Sequence, residues 1–206
     1  MGVNISKYNV PLQPLSAPFA VTDQRFCFPT VTTLLMRERG FSKDWTIKDV
    51  NTGIPYFVLQ ARLFSLKGKD QLCDIYNVPV ANCTFEKDGL LSRNQTVYAG
   101  ADSQLPKASV VCRGFKGKKF ECTVALTSGQ QALVVMKGSS HYDCTMWIGQ
   151  PKQGGTPVAR AVSEVSLFSR TQYTLVITPG FDAALAVLLL NIYEEATRPR
   201  GGGSGN

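Results

Sequence analysis

The feature that most constrains this chain is a run of eight apolar residues, 183–190, close to its end. The surrounding segment, residues 181–193, is rich in alanine and leucine and lacks glycine and proline, which predicts a helix. Asp182, directly after Pro179-Gly180, fits the N-cap position of that helix. Eight successive apolar residues cover every side of a helix, so this one must be buried all round. Its length of about 20 Å is short of the ~30 Å hydrocarbon core of a bilayer, which favours a core helix.

The chain between residue 31 and this helix predicts β-strands. Short β-rich runs alternate with turn residues at spacings of about ten residues, and further turns are expected at residues 51–53 and 67–70. The predicted strands are 31–35, 45–50, 56–59, 63–66, 72–75, 78–85, 95–99, 109–112, 120–126, 132–136, 142–148, 157–165 and 173–177. About a dozen strands of this kind indicate a sandwich or a barrel. Together with the buried helix they predict a mainly β fold whose strands close around the C-terminal helix.

Composition along the chain predicts one domain with an extension at each end. Residues 1–18 are proline-rich and are expected to form an extended arm. Residues 19–197 form the barrel in this interpretation, because the apolar helix needs the preceding strands as its wall. Residues 198–206 are rich in glycine, and we expect them to be a disordered tail.

Four segments carry a resemblance to a known family. Residues 41–53 look like an opening strand with a D-x-x-G hairpin, and residues 72–80 look like a second copy with Asn77 at the usual glycine. Residues 146–161 look like a later hairpin that ends in V-A-x-V. Residues 173–185 look like the pattern Y-x-L-x-V-x-P-G-x-D followed by the apolar helix, the most specific of the four signals. In this order the segments resemble the LURP-one-related family.

The resemblance covers about residues 19–197 and implies a twelve-stranded, tubby-like barrel closed around a buried C-terminal helix. It also implies kinship with the tubby proteins and the phospholipid scramblases. Some plant members of the family are linked to defence, and tubby relatives bind membrane phosphoinositides, whereas the family's own biochemical activity is poorly defined. The repeated D-x-x-G hairpin is a structural turn motif, because a short polar residue and a glycine satisfy a tight turn.

The cysteines and the histidine argue against a metal site. None of the six cysteines forms a C-x-x-C pair, and His141 is the only histidine, so we expect no metal and no cofactor. The first twenty residues lack the basic region and apolar core of a secretory signal. We therefore expect free, mostly buried thiols and a cytoplasmic location.

The charge of the chain favours anionic partners. It has 22 Lys and Arg against 15 Asp and Glu, a net charge of +7. Residues 113–119 contain two glycines, whose backbone N–H groups can approach an anion closely, and four basic residues without an acid: Arg113, Lys116, Lys118 and Lys119. Lys67 and Lys69 form a smaller pair around Gly68. We expect these residues to bind an anionic, phosphoinositide-like membrane lipid, and the alternative is that 113–119 is only a solvated loop.

The first six residues fit the N-myristoylation pattern M-G-x-x-x-[ST], with Gly2 as the acceptor and Lys7 adding a positive charge. A single acyl chain holds a protein to a membrane only weakly, so the basic residues would have to supply the second attraction. This hypothesis places the protein at the inner face of the plasma membrane.

The sequence gives little support for a catalytic function. His141, Asp143 and Cys144 are close in sequence, but on a strand His141 and Cys144 point to opposite faces, and a Cys–His nucleophile needs side chains that meet. No G-x-S-x-G, P-loop or dinucleotide motif is present. We therefore expect a monomeric, non-enzymatic protein that acts by binding lipid, and we do not expect nucleic acid as a partner. The resemblance implies a role in defence or stress signalling. Two alternatives stay open: a scaffold for an unknown signalling protein, without lipid binding, and scramblase-related lipid transport.

Overall fold

The computed structural model describes residues 10–39, 44–61, 69–88, 92–101, 104–113, 119–140, 143–164 and 172–197. These residues form twelve β-strands and one α-helix, α1 (Ala183–Thr197). The strands are β1 (Thr32–Arg39), β2 (Asp44–Asp49), β3 (Pro55–Ala61), β4 (Lys69–Asp74), β5 (Pro79–Asp88), β6 (Ser92–Ala99), β7 (Pro106–Arg113), β8 (Lys119–Ala125), β9 (Gln131–Ser140), β10 (Asp143–Ile148), β11 (Thr156–Glu164) and β12 (Gln172–Ile177). Gln24–Phe26 and Pro151–Gln153 are short 3₁₀ turns.

The twelve strands make one closed antiparallel barrel in chain order. The last strand returns to the first, so that Thr32 of β1 lies opposite Ile177 of β12. Register shifts interrupt several strand pairs, among them β2–β3 after Ile47 and β4–β5 after Leu72. Such bulges bend a strand and increase its twist, which helps a sheet to close on itself. The predicted mainly β, twelve-stranded barrel is confirmed.

The helix α1 fills the barrel. Residues 183–194 are all buried, because alternate residues of the surrounding strands point inward, as the alternating burial along β12 shows. Its four leucines are fully buried and together contribute about 6–12 kcal/mol of transfer free energy, at ~1.5–3 kcal/mol each. The predicted burial on every side is confirmed, although the helix begins two residues later and ends four residues later than predicted. Among the described residues, no helix is long and apolar enough to cross a bilayer.

Asp182 joins the start of α1 to residues 10–31. From here on we call residues 10–31 the arm; they include the described part of the extension predicted at residues 1–18. The side chain is fully buried, and its Oδ1 accepts a hydrogen bond from the N–H of Leu185 at 3.0 Å, which confirms the predicted N-cap. Its Oδ2 accepts from the N–H groups of Val21 at 2.9 Å and Thr22 at 2.7 Å. Burial raises the pKa of Asp182, and these hydrogen bonds to the carboxylate only partly oppose the effect.

Two similar turns confirm the repeated hairpin. Gly53 and Asn77 both adopt a left-handed backbone, with φ of 69° and 62°. In each turn an aspartate precedes them and accepts backbone N–H groups: Asp49 at 2.7 and 2.9 Å, Asp74 at 3.0 Å. The hydrogen bonds from the turn lower the pKa of Asp49, because they stabilise its charged form. Asn77 therefore replaces the usual glycine in conformation as well as in sequence.

The prediction of a turn at residues 67–70 is wrong for residues 69 and 70. Lys69 and Asp70 belong to β4, while Lys67 and Gly68 lie outside the described residues, as does the run 63–66. Asp70 is buried and accepts a hydrogen bond at 3.0 Å from Asn191 of α1. The strand continues through Asp70 because this residue pairs with Ala61 of β3 and Cys83 of β5, and the contact with α1 explains why a polar residue can be buried there.

Candidate functional site

The two ends of the barrel differ in their chemistry. At one end, the turn end, each even-numbered strand connects to the next strand through residues 50–54, 75–78, 100–105, 126–130 or 149–155. At the opposite end, the odd-numbered strands terminate at Arg39, Ala61, Asp88, Arg113, Ser140 and Glu164. We call it the basic end after the predicted anion-binding residues that it holds, although Asp44, Asp88, Asp143 and Glu164 also lie at strand ends there. Antiparallel pairing in chain order requires this division, since every second connection falls at the same end.

The basic end collects the predicted anion-binding positions that the structure describes. Arg113 is the last residue of β7, and Lys119, directly opposite it, is the first of β8. Lys69 is the first residue of β4, three strands from β7 and therefore about 14 Å away along the sheet. The sequence left open whether the two basic groups share a face, and the strand order brings them to the same end.

A further basic residue joins this row. Lys119 lies opposite Lys137 of β9 as well as opposite Arg113, so three basic residues occupy one row across β7, β8 and β9. Sequence reasoning missed Lys137, because it stands alone in a predicted strand and only the pairing register brings it beside Lys119.

The remaining predicted site residues, Lys67, Lys116, Lys118 and Gly2, lie outside the described residues. The arm that follows Gly2 in sequence approaches the turn end, where the N–H of Gln13 donates to the carbonyl of Pro157 at 2.9 Å. Residue 10 and the row of basic residues are therefore at opposite ends of the barrel.

The centre of the basic end is acidic. The C-terminal part of α1 lies there, since the Tyr193 ring is 5.2 Å from that of Phe120, the second residue of β8. Asp70 and Glu194 are both buried in this region, and the helix C-terminus adds a partial negative charge. Burial, followed by the negative charge of Asp70 and Glu195, raises the pKa of Cys83 well above its usual value. An anion would therefore be repelled from the barrel axis and attracted to the row at β7–β9.

A groove on the outer wall supplies more positive charge. It has a volume of about 390 Å³ and is lined by Leu35, Arg37, Glu38, Arg39, Thr46 and Lys48. The Arg39 guanidinium donates a hydrogen bond to the Thr46 hydroxyl. Within the described part of the chain, neither Arg37 nor Lys48 has an ion-pair partner. The groove runs along β1 and β2, with Arg39 at the basic end and the pair of Leu35 and Lys48 nearer the turn end.

Of the residues 141–144, the structure describes Asp143 and Cys144, and Cys144 is poorly placed to act as a nucleophile. His141 lies outside the described residues, and Cys144 is buried near the start of β10. Burial, aided by the charge of Asp143, raises the pKa of the Cys144 thiol, so the reactive thiolate is disfavoured. In the residues that the structure describes, no group of three or more His, Cys, Asp or Glu side chains could hold a metal ion.

The chain is similar to known proteins in family and in fold. The model of a family described as LURP-one-related matches residues 32–194. The X-ray structure of a protein from Arabidopsis thaliana is similar with a TM-score of 0.65 and 19% identity, over 87% of this chain and 99% of that chain. At this identity the likeness shows the fold alone. No curated protein matches the chain at a significant level.

Proposed function

Because this chain belongs to the LURP-one-related family and its basic strand ends share one end of the barrel, we propose that it binds anionic membrane lipid there. The proposal is of a non-enzymatic protein that recognises phosphoinositide-like headgroups. The observation that supports it best is the register that aligns Arg113, Lys119 and Lys137 in one row. Lys69 and the groove at Arg37 add positive charge to the same end.

The chemistry of the row suits phosphate. Lysine ammonium groups act as mobile point charges, and arginine adds planar donors that match phosphate oxygens. Each such residue near an anionic membrane surface contributes about 1 kcal/mol. The acidic centre of the basic end directs the headgroup towards the rim formed by β7–β9, rather than towards α1. In this proposal the barrel stands on the membrane by its basic end.

The proposal places the protein in the cytoplasm and, when lipid-bound, at the inner face of the plasma membrane. Its role there would be in defence or stress signalling, as in some plant relatives, with lipid binding bringing the barrel to the membrane. Acylation at Gly2 would be a separate anchor, carried by the segment that meets the barrel at the turn end, and intact-mass measurement of the protein from its own host would detect it.

Vesicle cosedimentation tests the lipid site. The protein is mixed with phosphatidylcholine vesicles with or without phosphatidylinositol bisphosphate, and the bound fraction is measured at low and at high salt. We expect binding only to the phosphoinositide vesicles, weakened by salt because exposed charges are screened. The double variant Arg113→Ala/Lys119→Ala should bind about 30-fold more weakly, from two contacts of about 1 kcal/mol each.

The matched control is Lys107→Ala/Lys152→Ala, which removes the same net charge away from the basic end, at the start of β7 and beside the β10–β11 connection. This control should bind like the wild type to within about threefold, since its residues are far from the proposed headgroup. If both double variants lose the same amount of vesicle binding, the net charge of the protein, and not the row of basic residues, determines the binding. Equal, negligible binding to both kinds of vesicle would reject the lipid site.

A further inference from the structure

The exposed apolar side chains of this protein gather at the turn end. Among the described residues, eight large apolar side chains are exposed, and seven of them lie at this end. Six occupy the turns themselves: Val50, Ile54, Ile75, Tyr76, Val78 and Leu105, with Tyr76 80% and Leu105 66% exposed. Val31, just before β1, completes the group, which we call the apolar rim. Single exposed apolar residues are ordinary on a protein surface, whereas a concentration of this kind marks an interaction site.

The turns of the apolar rim are neighbours along one end of the barrel. Hydrogen bonds from Val50 N–H to the Thr33 carbonyl at 2.8 Å and from Gly100 N–H to the Val80 carbonyl at 2.9 Å tie two of these turns to β1 and β5. The side-chain amide of Gln60 in β3 donates to Asn77 of the turn between them at 2.9 Å. The rim follows seven consecutive strands, β1 to β7, and at 4.7–4.9 Å per strand its arc is about 29 Å long.

The turns do not need these apolar side chains. Asp49 and Asp74 supply the acceptors, and Gly53 and Asn77 supply the left-handed backbone. The intervening positions of such turns are usually polar or glycine, and a polar residue would satisfy them without exposing apolar surface. The fold therefore gives no reason for isoleucine, tyrosine and valine at the tips of the turns.

Two lysines without a described ion pair lie beside the apolar rim. Lys48 precedes Val50 by two residues and Lys107 follows Leu105 by two, and no described residue forms an ion pair with either lysine. The described acids of this end are engaged: Asp49 and Asp182 are buried and accept backbone N–H groups, and Arg25 pairs with Asp23 at 3.3 Å and with Asp74 at 3.7 Å. A second copy of the chain would bring like charges together, which disfavours it. An acidic partner would complement both lysines.

We propose that the apolar rim docks a partner protein whose contacting segment is apolar and flanked by acidic residues. The choice of a protein over a bilayer rests on the proposed function, because a barrel attached by its basic end turns the rim away from the membrane. Tyr76 is the anchor in this arrangement, since exposed aromatic residues dominate the energetics of protein interfaces. The protein then joins an anionic membrane at one end to an acidic, apolar segment at the other.

A random peptide library displayed on phage, selected on the immobilised full-length protein, tests the rim. We expect the enriched peptides to combine apolar residues with Asp or Glu. A synthetic copy of the best peptide should bind the variants Ile54→Ser/Tyr76→Ser and Lys48→Glu/Lys107→Glu about tenfold more weakly or worse than the wild type. Val162→Ser removes the eighth exposed apolar side chain, which lies on β11 away from the rim, and should leave binding unchanged. Thermal melting of each variant checks that it is folded.

Three results would overturn the proposal, and they can be distinguished from a failure of the lipid site. Peptides without acidic residues, or peptides that bind the rim variants and the wild type equally, exclude the acidic partner. A dimer in light scattering that is lost in Ile54→Ser/Tyr76→Ser makes the occupant a second copy. Vesicle binding that the rim variants weaken, and that Arg113→Ala/Lys119→Ala does not, makes it a bilayer. If acidic peptides bind the rim while that basic-end variant sediments normally with vesicles, the rim stands and the lipid site alone fails.

Discussion

Asp182 shows how one buried carboxylate can hold two distant parts of a chain. It caps α1 through Leu185, and it binds Val21 and Thr22, which are 161 and 160 residues away in sequence. A buried carboxylate costs free energy unless its oxygens are well hydrogen-bonded, and here the bonds serve both functions at once. The arm is therefore part of the folded barrel because the helix cap requires it.

Replacing the carboxylate of Asp182 should strongly destabilise the protein. We expect Asp182→Ala to lower the free energy of unfolding by about 2–4 kcal/mol, because it removes a helix cap and leaves buried N–H groups without acceptors. Urea unfolding followed by circular dichroism measures the loss. Asp23→Ala is the control, since Asp23 caps an exposed 3₁₀ turn and should cost less than about 1 kcal/mol. Similar losses in the two variants would refute the special role of Asp182.

At the scale of elements, the turns depend on backbone conformation more than on side-chain packing. Gly53 and Asn77 occupy the same left-handed region, which most residues with a Cβ avoid and which asparagine tolerates. Asn77 also accepts a hydrogen bond from Gln60 of β3. The second hairpin can therefore use asparagine where the first uses glycine, and it gains a contact to the neighbouring strand.

The conformation of Asn77 can be tested by two substitutions. Asn77→Val should lower the free energy of unfolding by about 1–2 kcal/mol, because a β-branched residue is strained at positive φ. Asn77→Gly should stay within about 0.5 kcal/mol of the wild type, since glycine adopts this region freely. Thermal or urea unfolding measures both, and Gln60→Ala measures the lost amide bond separately. If valine and glycine are tolerated equally well, the turn is not restricted by its backbone conformation.

For the whole molecule, a closed barrel around an apolar helix explains why only 18% of the residues are charged. One face of every strand and nearly the whole of α1 are directed inward. Five of the six cysteines can be placed in this environment: Cys73, Cys83, Cys122 and Cys144 are buried and Cys27 is half-buried, and each of the five is a free thiol. For these five the prediction of free, mostly buried thiols agrees with the structure, while the side chain of Cys112 lies outside the described part.

The buried thiols should be unreactive in the folded protein. Burial, followed by the charges of Asp182 and Asp23, raises the pKa of Cys27 to about 12, and burial also raises the pKa values of Cys122 and Cys144. Since the thiolate is the reactive form, iodoacetamide near pH 9.0, the ordinary thiol pKa, should label these residues far more slowly in the folded than in the guanidinium-unfolded chain. Peptide mass mapping follows each site. Equal labelling rates of Cys122 in both states would show that the barrel is not closed.

The sequence by itself determined the elements of this protein. The all-apolar run requires a helix buried on every side, the alternation of residues predicts strands, and Asp182, Gly53 and Asn77 specify a cap and two turns. These features were predictable because each depends on the conformational free energy of a few neighbouring residues.

Only the tertiary structure decided which residues meet. Lys119 lies between Arg113 and Lys137 because of the pairing register, and Lys69 shares their end because it starts an even-numbered strand. The same alternation of connections gathers the exposed apolar residues at the opposite end. Asp70, predicted in a turn, extends β4 because it pairs with Ala61 of β3 and Cys83 of β5, and Asn191 of the helix binds its buried side chain. Chain closure and register couple residues far apart in sequence, so the chemistry of each end of the barrel emerges only when all twelve strands have paired.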